Sequence, residues 1–149
     1  MQELSVRFAI TASGVFFLTG LLTGIWKYVA IARSSDATAP VYVDIAHRAS
    51  LMYSFASLVL AEFARQCPYS SAVKVMAVSG PVLFFGFAIF TYLVHGWLQD
   101  TDNQFASPHR LGALTLPGWL LKASMVALVV GEVGGFGVLF VGVMQKFWG

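Results

Sequence analysis

Charged residues are scarce in this sequence. Asp, Glu, Lys and Arg together make up only 11% of its 149 residues, whereas a soluble domain usually carries about 25%. The net charge of +2 is also too small and too scattered to suggest a nucleic-acid partner. By contrast, 58% of the residues are hydrophobic and the mean hydropathy is +0.75. Because lipid excludes charge from a protein surface, this composition predicts an integral membrane protein.

Cysteine is almost absent as well. Cys67 is the only cysteine, so no disulfide can form within the chain and no cluster of thiolates can hold a metal. The residue lies in a short connection, RQCPYS, where we expect a loop thiol without a special role.

Four segments are long and apolar enough to cross a bilayer, which takes about 20 residues. They run from Phe8 to Ala30, from Ala46 to Ala64, from Val75 to Leu98 and from Trp119 to Met144. Backbone groups in lipid must pair within a segment, so each span is predicted to be helical. We expect an all-α fold, a four-helix transmembrane bundle in one domain covering residues 1–149, with both termini on the same side. The first segment is longer than the apolar region of a signal peptide, which favours a retained span.

The residues with chemical potential lie mostly near one end of the predicted bundle, the end opposite the termini. This end holds all three histidines, four aspartates and three tryptophans: His47, His95, His109, Asp36, Asp44, Asp100, Asp102, Trp26, Trp97 and Trp119. The longest connection, between the third and fourth spans, lies there too. Loops carry function more often than the elements they join, so we expect this end to be the functional face. Basic residues divide four against five between the two ends, which leaves the orientation in the membrane open.

Small and polar residues recur at three- and four-residue steps in the second span. They are His47, Ser50, Ser54, Ser57 and Ala61, and on a helix they form one narrow stripe. Small residues and serines let membrane helices approach closely, so the serines predict a helix-packing seam. The imidazole of His47 is expected to be too large for such a seam, which makes it a candidate ligand. Arg48 follows Asp44 by four residues and is expected to form a local ion pair.

Histidines near one end of a helical bundle suggest a metal or haem site. Haem b requires one histidine on iron, an apolar pocket, and cationic or hydroxyl groups for its propionates. His47 is the candidate iron ligand, and Arg48, Arg110 and Trp26 are candidate cofactor contacts. His95 is a possible second iron ligand. A zinc site built from His47, His95 and one of the aspartates Asp100 and Asp102 is an alternative.

Glu132 stands alone near the middle of the fourth span, in VVGEVGGFG. A carboxylate in the membrane interior costs at least ~2.5–3.5 kcal/mol, so it is either functional or protonated and hydrogen-bonded to a neighbouring helix. Gly131 and Gly135 form a G-x-x-x-G pattern, as do Gly20 and Gly24 in the first span, and both predict close helix packing. Four helices enclose little volume, so we expect a homo-oligomer with any cofactor near a subunit interface.

The order of several short motifs resembles the styrene oxide isomerase family of small four-helix membrane proteins. The motifs are LLTGIWKY in the first span, IAHRASLMY in the second, GFAIFTY in the third, and DNQF in the following loop. The resemblance implies haem b, with His47 as the axial ligand, and isomerisation of a small apolar aryl epoxide such as styrene oxide to an aldehyde. It also implies the bacterial inner (cytoplasmic) membrane as the location.

Substrate contacts carried over from this family are changed at two positions. Tyr53 stands where the family has an asparagine, and Ala88 where it has a tyrosine, with Tyr92 about one turn further on. Asn103 and Gln104 match the family's loop. The resemblance therefore suggests Tyr53, Tyr92 and Asn103 as candidate catalytic residues.

Three other functions remain open on the sequence alone. One is a haem-carrying electron-transfer subunit, in which His47 and His95 bind both faces of the iron. Another is a non-catalytic subunit that anchors or supports a larger membrane complex. The last is a proton-coupled transporter built around Glu132.

Overall fold

The computed structural model describes residues 3–149, which form four helices and a short hairpin. The helices are α1 (Leu4–Arg33), α2 (Val41–Gln66), α3 (Ser71–Leu98) and α4 (Gly118–Trp148). Strands β1 (Arg110–Leu111) and β2 (Leu114–Thr115) pair antiparallel within the α3–α4 connection. The prediction of an essentially all-helical chain is confirmed, and the hairpin is the one element that the sequence analysis did not foresee.

Three helices in the described part of the chain, α1, α3 and α4, are long and apolar enough to cross a membrane. Helix α2 has the length, because 26 residues at 1.5 Å each span about 39 Å. Its serines make it less apolar, but Ser50, Ser54 and Ser57 are buried against neighbouring helices rather than on its outer surface. The low hydropathy of α2 therefore reflects a buried polar seam.

Helices α1 and α2 pack together through small residues. Ser13 and Ser54 hydrogen-bond through their side-chain oxygens, which are 3.3 Å apart, and Ala61 is 3% exposed. The Ser57 hydroxyl donates to the carbonyl oxygen of Tyr53 one turn earlier in α2. The predicted packing role of the serine stripe is confirmed, because small side chains let the two backbones approach.

Helix α4 crosses α3 at a pair of glycines. A Cβ built on Gly135 would lie 2.5 Å from the carbonyl oxygen of Ala77 and 2.6 Å from Pro81. Proline has no N–H, so Pro81 cannot donate the usual helical hydrogen bond to Ala77. On the other side of the crossing, Gly80 faces the carbonyl oxygen of Gly131. The G-x-x-x-G pattern at Gly131 and Gly135 therefore serves close helix packing, as predicted.

Polar contacts join residues in and beside the α2–α3 connection to residues near both ends of the described chain. Glu3 lies 2.5 Å from Lys74 in an ion pair, and Lys74 is only 5% exposed. Near the other end, Lys146 donates to Gln66, and the Tyr69 hydroxyl donates to Gln145. These contacts hold one end of the helices together.

The first half of α4 is the most exposed part of the helical assembly. Within the described chain, the buried residues of α4 are confined to Leu139, Gly142 and Val143 in its second half. Val126, Val130 and Val133 are each more than 60% exposed. Such a surface is suited to lipid or to another apolar helix.

Candidate functional site

His47 contacts the backbone of α1 through one ring nitrogen. Its Nδ1 lies 2.8 Å from the carbonyl oxygen of Gly20. A carbonyl oxygen can only accept, so Nδ1 carries the proton and donates this bond. In the neutral ring, Nε2 then keeps its lone pair. A backbone carbonyl on one nitrogen is the arrangement that commonly fixes a histidine so that the other nitrogen can bind a metal.

The expectation that His47 is too large for a close helix seam is wrong. Its ring lies between α1 and α2, where a Cβ on Gly24 would come within 2.9 Å of Cε1. One turn earlier, Gly20 leaves the corresponding space for the side chain of Leu51. Gly24 thus provides the room for the imidazole and Gly20 the room for Leu51, so the GLLTG pattern accommodates side chains of α2 rather than close contact between the two backbones.

A compact ion cluster surrounds Asp44, one turn before His47. Asp44 pairs with Lys27 of α1 at 2.5 Å and with Arg48 at 2.9 Å, so the predicted Asp44–Arg48 pair is confirmed. With two cations and one carboxylate, the cluster keeps one net positive charge. His47 is close enough to interact electrostatically with Asp44.

The two other predicted cofactor contacts lie on different elements. Trp26 faces α3, where its ring centroid is 6.4 Å from that of Trp97 and where it abuts Gly96. Arg110 belongs to β1 in the α3–α4 connection, and its side chain is exposed. Trp26 therefore packs between α1 and α3.

His95 forms a buried pair with Asp100. The histidine is 6% exposed, and its Nδ1 is 2.7 Å from Asp100 Oδ1. The other carboxylate oxygen accepts from the backbone N–H of Gly112, which follows β1. Gln99 adopts a left-handed conformation at the end of α3, with φ of 48°, and this turns the chain so that Asp100 folds back onto His95. Although burial raises the pKa of Asp100, the hydrogen bonds from Gly112 and His95 lower it below its usual range.

The two histidines do not share a helix face. The ring of His95 lies against Tyr42 in a tilted arrangement with 5.0 Å between centroids, whereas His47 bonds to Gly20. Tyr42 and His47 are five positions apart on α2, which separates them by about 140° around the helix axis. Among residues 3–149, no three His, Cys, Asp or Glu side chains form a group that could hold a metal ion.

Tyr53 and Tyr92 lie between α2 and α3 in two aromatic stacks. The Tyr53 ring is 4.3 Å from that of Phe85 with nearly parallel planes, and Tyr92 stacks on Tyr42 at 6.0 Å. Glu132 of α4 is close enough to interact electrostatically with both tyrosine hydroxyls. Its Oε1 is buried and has no hydrogen-bond partner within residues 3–149.

Asn103 lies in the exposed part of the α3–α4 connection. Its side-chain oxygen accepts from the N–H of Phe105, and its carbonyl oxygen accepts from Thr101. The next residue, Gln104, donates its N–H to the Tyr42 hydroxyl at 2.6 Å. Asn103 thus shapes the loop, while Tyr42 attaches the loop to α2.

Tyr42 is the site residue that sequence reasoning missed. It is 5% exposed and contacts His95, Tyr92 and the loop at Gln104. In the sequence, Tyr42 is marked only by its position in the first turn of α2, five residues before His47.

Comparison with known proteins yields no match: no family model, no curated protein and no solved structure is similar to this chain.

Proposed function

We propose that this chain is a haem b-dependent membrane isomerase that converts an aryl epoxide such as styrene oxide to an aldehyde. The observation that supports it best is the hydrogen bond from His47 Nδ1 to Gly20, which leaves Nε2 available as a ligand nitrogen. The type of reaction is suggested by the resemblance of the motifs around His47 to those of the styrene oxide isomerase family.

The proposed architecture is a four-helix transmembrane bundle with both termini on the same side. The ion pair of Glu3 with Lys74 and the bond between Lys146 and Gln66 support it, because Lys74 and Gln66 lie on either side of the α2–α3 connection. The length of α2 supports a fourth span. The bacterial inner membrane is the proposed location.

The chain's donor groups fit a haem b group. His47 offers one imidazole nitrogen, and the Asp44 cluster with Lys27 and Arg48 offers a net positive charge for a propionate. Among the described residues, neither of the two cavities at this end of the helices is lined by His47. A haem b group would therefore need apolar surface beyond these two cavities. This favours a homo-oligomer with the site near a subunit interface.

When bound through His47, a ferric haem would supply a Lewis acid for the epoxide oxygen. The phenol groups of Tyr53 and Tyr92 donate hydrogen bonds to that oxygen as the ring opens at the benzylic carbon. Phe85 and Tyr42 hold the two phenol rings by stacking. The surrounding apolar side chains exclude water, which would otherwise give a diol. A hydride shift to the benzylic carbon then yields the aldehyde without an external reductant.

The alternatives have less support. Electron transfer with His47 and His95 on one iron requires both rings on a common face, whereas they bond to different elements. A non-catalytic anchor subunit is the second candidate, because the bond from His47 to Gly20 also stabilises the α1–α2 pair.

The test of the reaction is aldehyde formation from styrene oxide by haem-loaded protein, followed by gas chromatography. Tyr53→Phe and Tyr92→Phe are each expected to lower turnover about tenfold, which corresponds to one lost hydrogen bond of roughly 1.4 kcal/mol. Tyr28→Phe is the control, since Tyr28 is 71% exposed. Haem-loaded wild-type protein that forms no aldehyde would contradict the proposed reaction.

A further inference from the structure

A cavity of about 480 Å³ opens where α1, α2 and α3 reach the α1–α2 and α3–α4 connections. It lies at the ends of α1 and α3, and Tyr28 and Trp97 nearby are more than 70% exposed. Exposed Tyr and Trp at helix ends are typical of the level of lipid headgroups. The polar lining includes Arg33, Thr38, Tyr42, His95, Thr101 and Asp102.

His95 presents a hydrogen-bond acceptor in this cavity. Its Nδ1–H donates to Asp100, whose second oxygen is taken by the Gly112 N–H, so the ring cannot readily exchange its tautomer. Nε2 therefore holds the lone pair of the neutral ring, and it has no hydrogen-bond partner within residues 3–149. A buried imidazole fixed in this way is matched by a ligand that donates an N–H or O–H.

Charges of both signs complete the lining. Arg33 and Asp102 lie along the cavity, and within the described chain neither side chain forms an ion pair. A ligand that carries an ammonium group and a phosphate would satisfy Asp102 and His95 with the first, and Arg33 with the second. A purely anionic ligand would meet the carboxylate of Asp102, and a purely cationic one would meet Arg33.

We propose that this cavity binds a primary ammonium group joined to a phosphate, the chemistry of phosphoethanolamine. His95 and Asp102 accept hydrogen bonds from the ammonium group, and Arg33 donates to the phosphate. The same chemistry occurs in the headgroup of phosphatidylethanolamine and in free phosphoethanolamine. A quaternary ammonium such as choline has no N–H to donate, so the site binds phosphocholine less tightly. The site is independent of His47 and of any cofactor.

The experiment compares lipid retention by the full-length protein in detergent. Delipidated protein is incubated with equal amounts of phosphatidylethanolamine and phosphatidylcholine of the same acyl chains, and bound lipid is counted by native mass spectrometry. Wild type is expected to retain phosphatidylethanolamine about tenfold over phosphatidylcholine, the effect expected of one charge-assisted hydrogen bond. Free phosphoethanolamine is titrated separately and displaces the lipid if the headgroup alone is recognised. Binding of the free compound without lipid preference would identify a soluble ligand as the source.

Two variants test the assignment of residues. Arg33→Gln alters an exposed side chain and is expected to remove the preference without unfolding the protein. His95→Phe keeps an aromatic ring beside Tyr42 while removing both the acceptor and the hydrogen bond to Asp100, and it is expected to do the same. Lys122→Gln removes an exposed cation of α4 that lies outside the cavity lining, and it should retain the wild-type preference. Equal retention of both lipids by wild type, with no binding of free phosphoethanolamine, would overturn the proposal. The His95–Asp100 pair would then serve only to attach the hairpin to α3.

Discussion

Gly24 lies against the imidazole of His47 so closely that a methyl group at position 24 would come within 2.9 Å of Cε1. One turn earlier, Gly20 supplies the carbonyl oxygen that accepts the His47 Nδ1–H. The two glycines therefore have separate roles, since one provides the acceptor and the other provides the space. The orientation of His47, on which the proposed function depends, is a property of α1 as much as of α2.

Replacing Gly24 by leucine is expected to displace His47 and separate α1 from α2. Overpacking of this kind costs about 1–3 kcal/mol, which lowers the melting temperature by roughly 3–10 °C. Thermal unfolding in detergent measures the change. Gly14→Leu is the matched control in the same helix, because no atom of the described residues lies within 4 Å of a Cβ at that position. A Gly14 variant as damaged as the Gly24 variant would contradict the proposed contact.

The crossing of α3 and α4 is expected to depend on Gly135 and not on its neighbour Gly134. Leucine at position 135 would overlap with Pro81 and the Ala77 carbonyl, whereas Gly134 has no neighbour within 4 Å among residues 3–149. Gly135→Leu should therefore move α4 away from α3 and lower the melting temperature, while Gly134→Leu should leave it nearly unchanged. Spin labels on exposed positions Met76 and Val138 would report the separation. Equal distances in the two variants would refute this crossing.

The attachment of the hairpin to α3 is expected to weaken in strong acid. The pKa of Asp100 lies below its ordinary value of 3.8, since hydrogen bonds from Gly112 and His95 outweigh the effect of burial. A lowered pKa means that the carboxylate stabilises the folded state above pH 3.8, and that this contribution is lost as the pH falls through the lowered pKa. Hydrogen exchange of the Gly112 amide measures the attachment.

Asp100→Asn is expected to lose Gly112 protection already at neutral pH. An amide has a single oxygen, so it can accept from Gly112 or from the Nδ1–H of His95, but not from both. Asp102→Asn serves as the control, because the Asp102 carboxylate makes no hydrogen bond within the described chain. If Asp100→Asn kept full protection of Gly112, the proposed role of the carboxylate would be wrong.

The helices and their seams were predictable, because hydropathy and three- and four-residue steps depend only on local sequence. The spacing of Ser50, Ser54 and Ser57 therefore identified the packing stripe, and Gly131 with Gly135 identified the crossing. The placement of His47 between α1 and α2 was not predictable in this way, because the room for its imidazole comes from a glycine of the facing helix.

The polar end of the helices was less predictable for a related reason. The His95–Asp100 pair depends on a left-handed residue at Gln99, and the hairpin depends on Gly112 with φ of 60°. Neither conformation follows from residue type alone. Tyr42 became important only through contacts with α3 and with the loop, which are 50 or more positions away in the sequence.

The central claim is that His47 binds haem iron through Nε2, and the most direct measurement is the absorption spectrum of purified protein loaded with haemin. We expect a Soret band with a high-spin, five-coordinate pattern in wild type and in His95→Ala, and loss of haem retention in His47→Ala. Haem retained equally by His47→Ala, or wild-type protein that takes up no haemin at all, would contradict the claim.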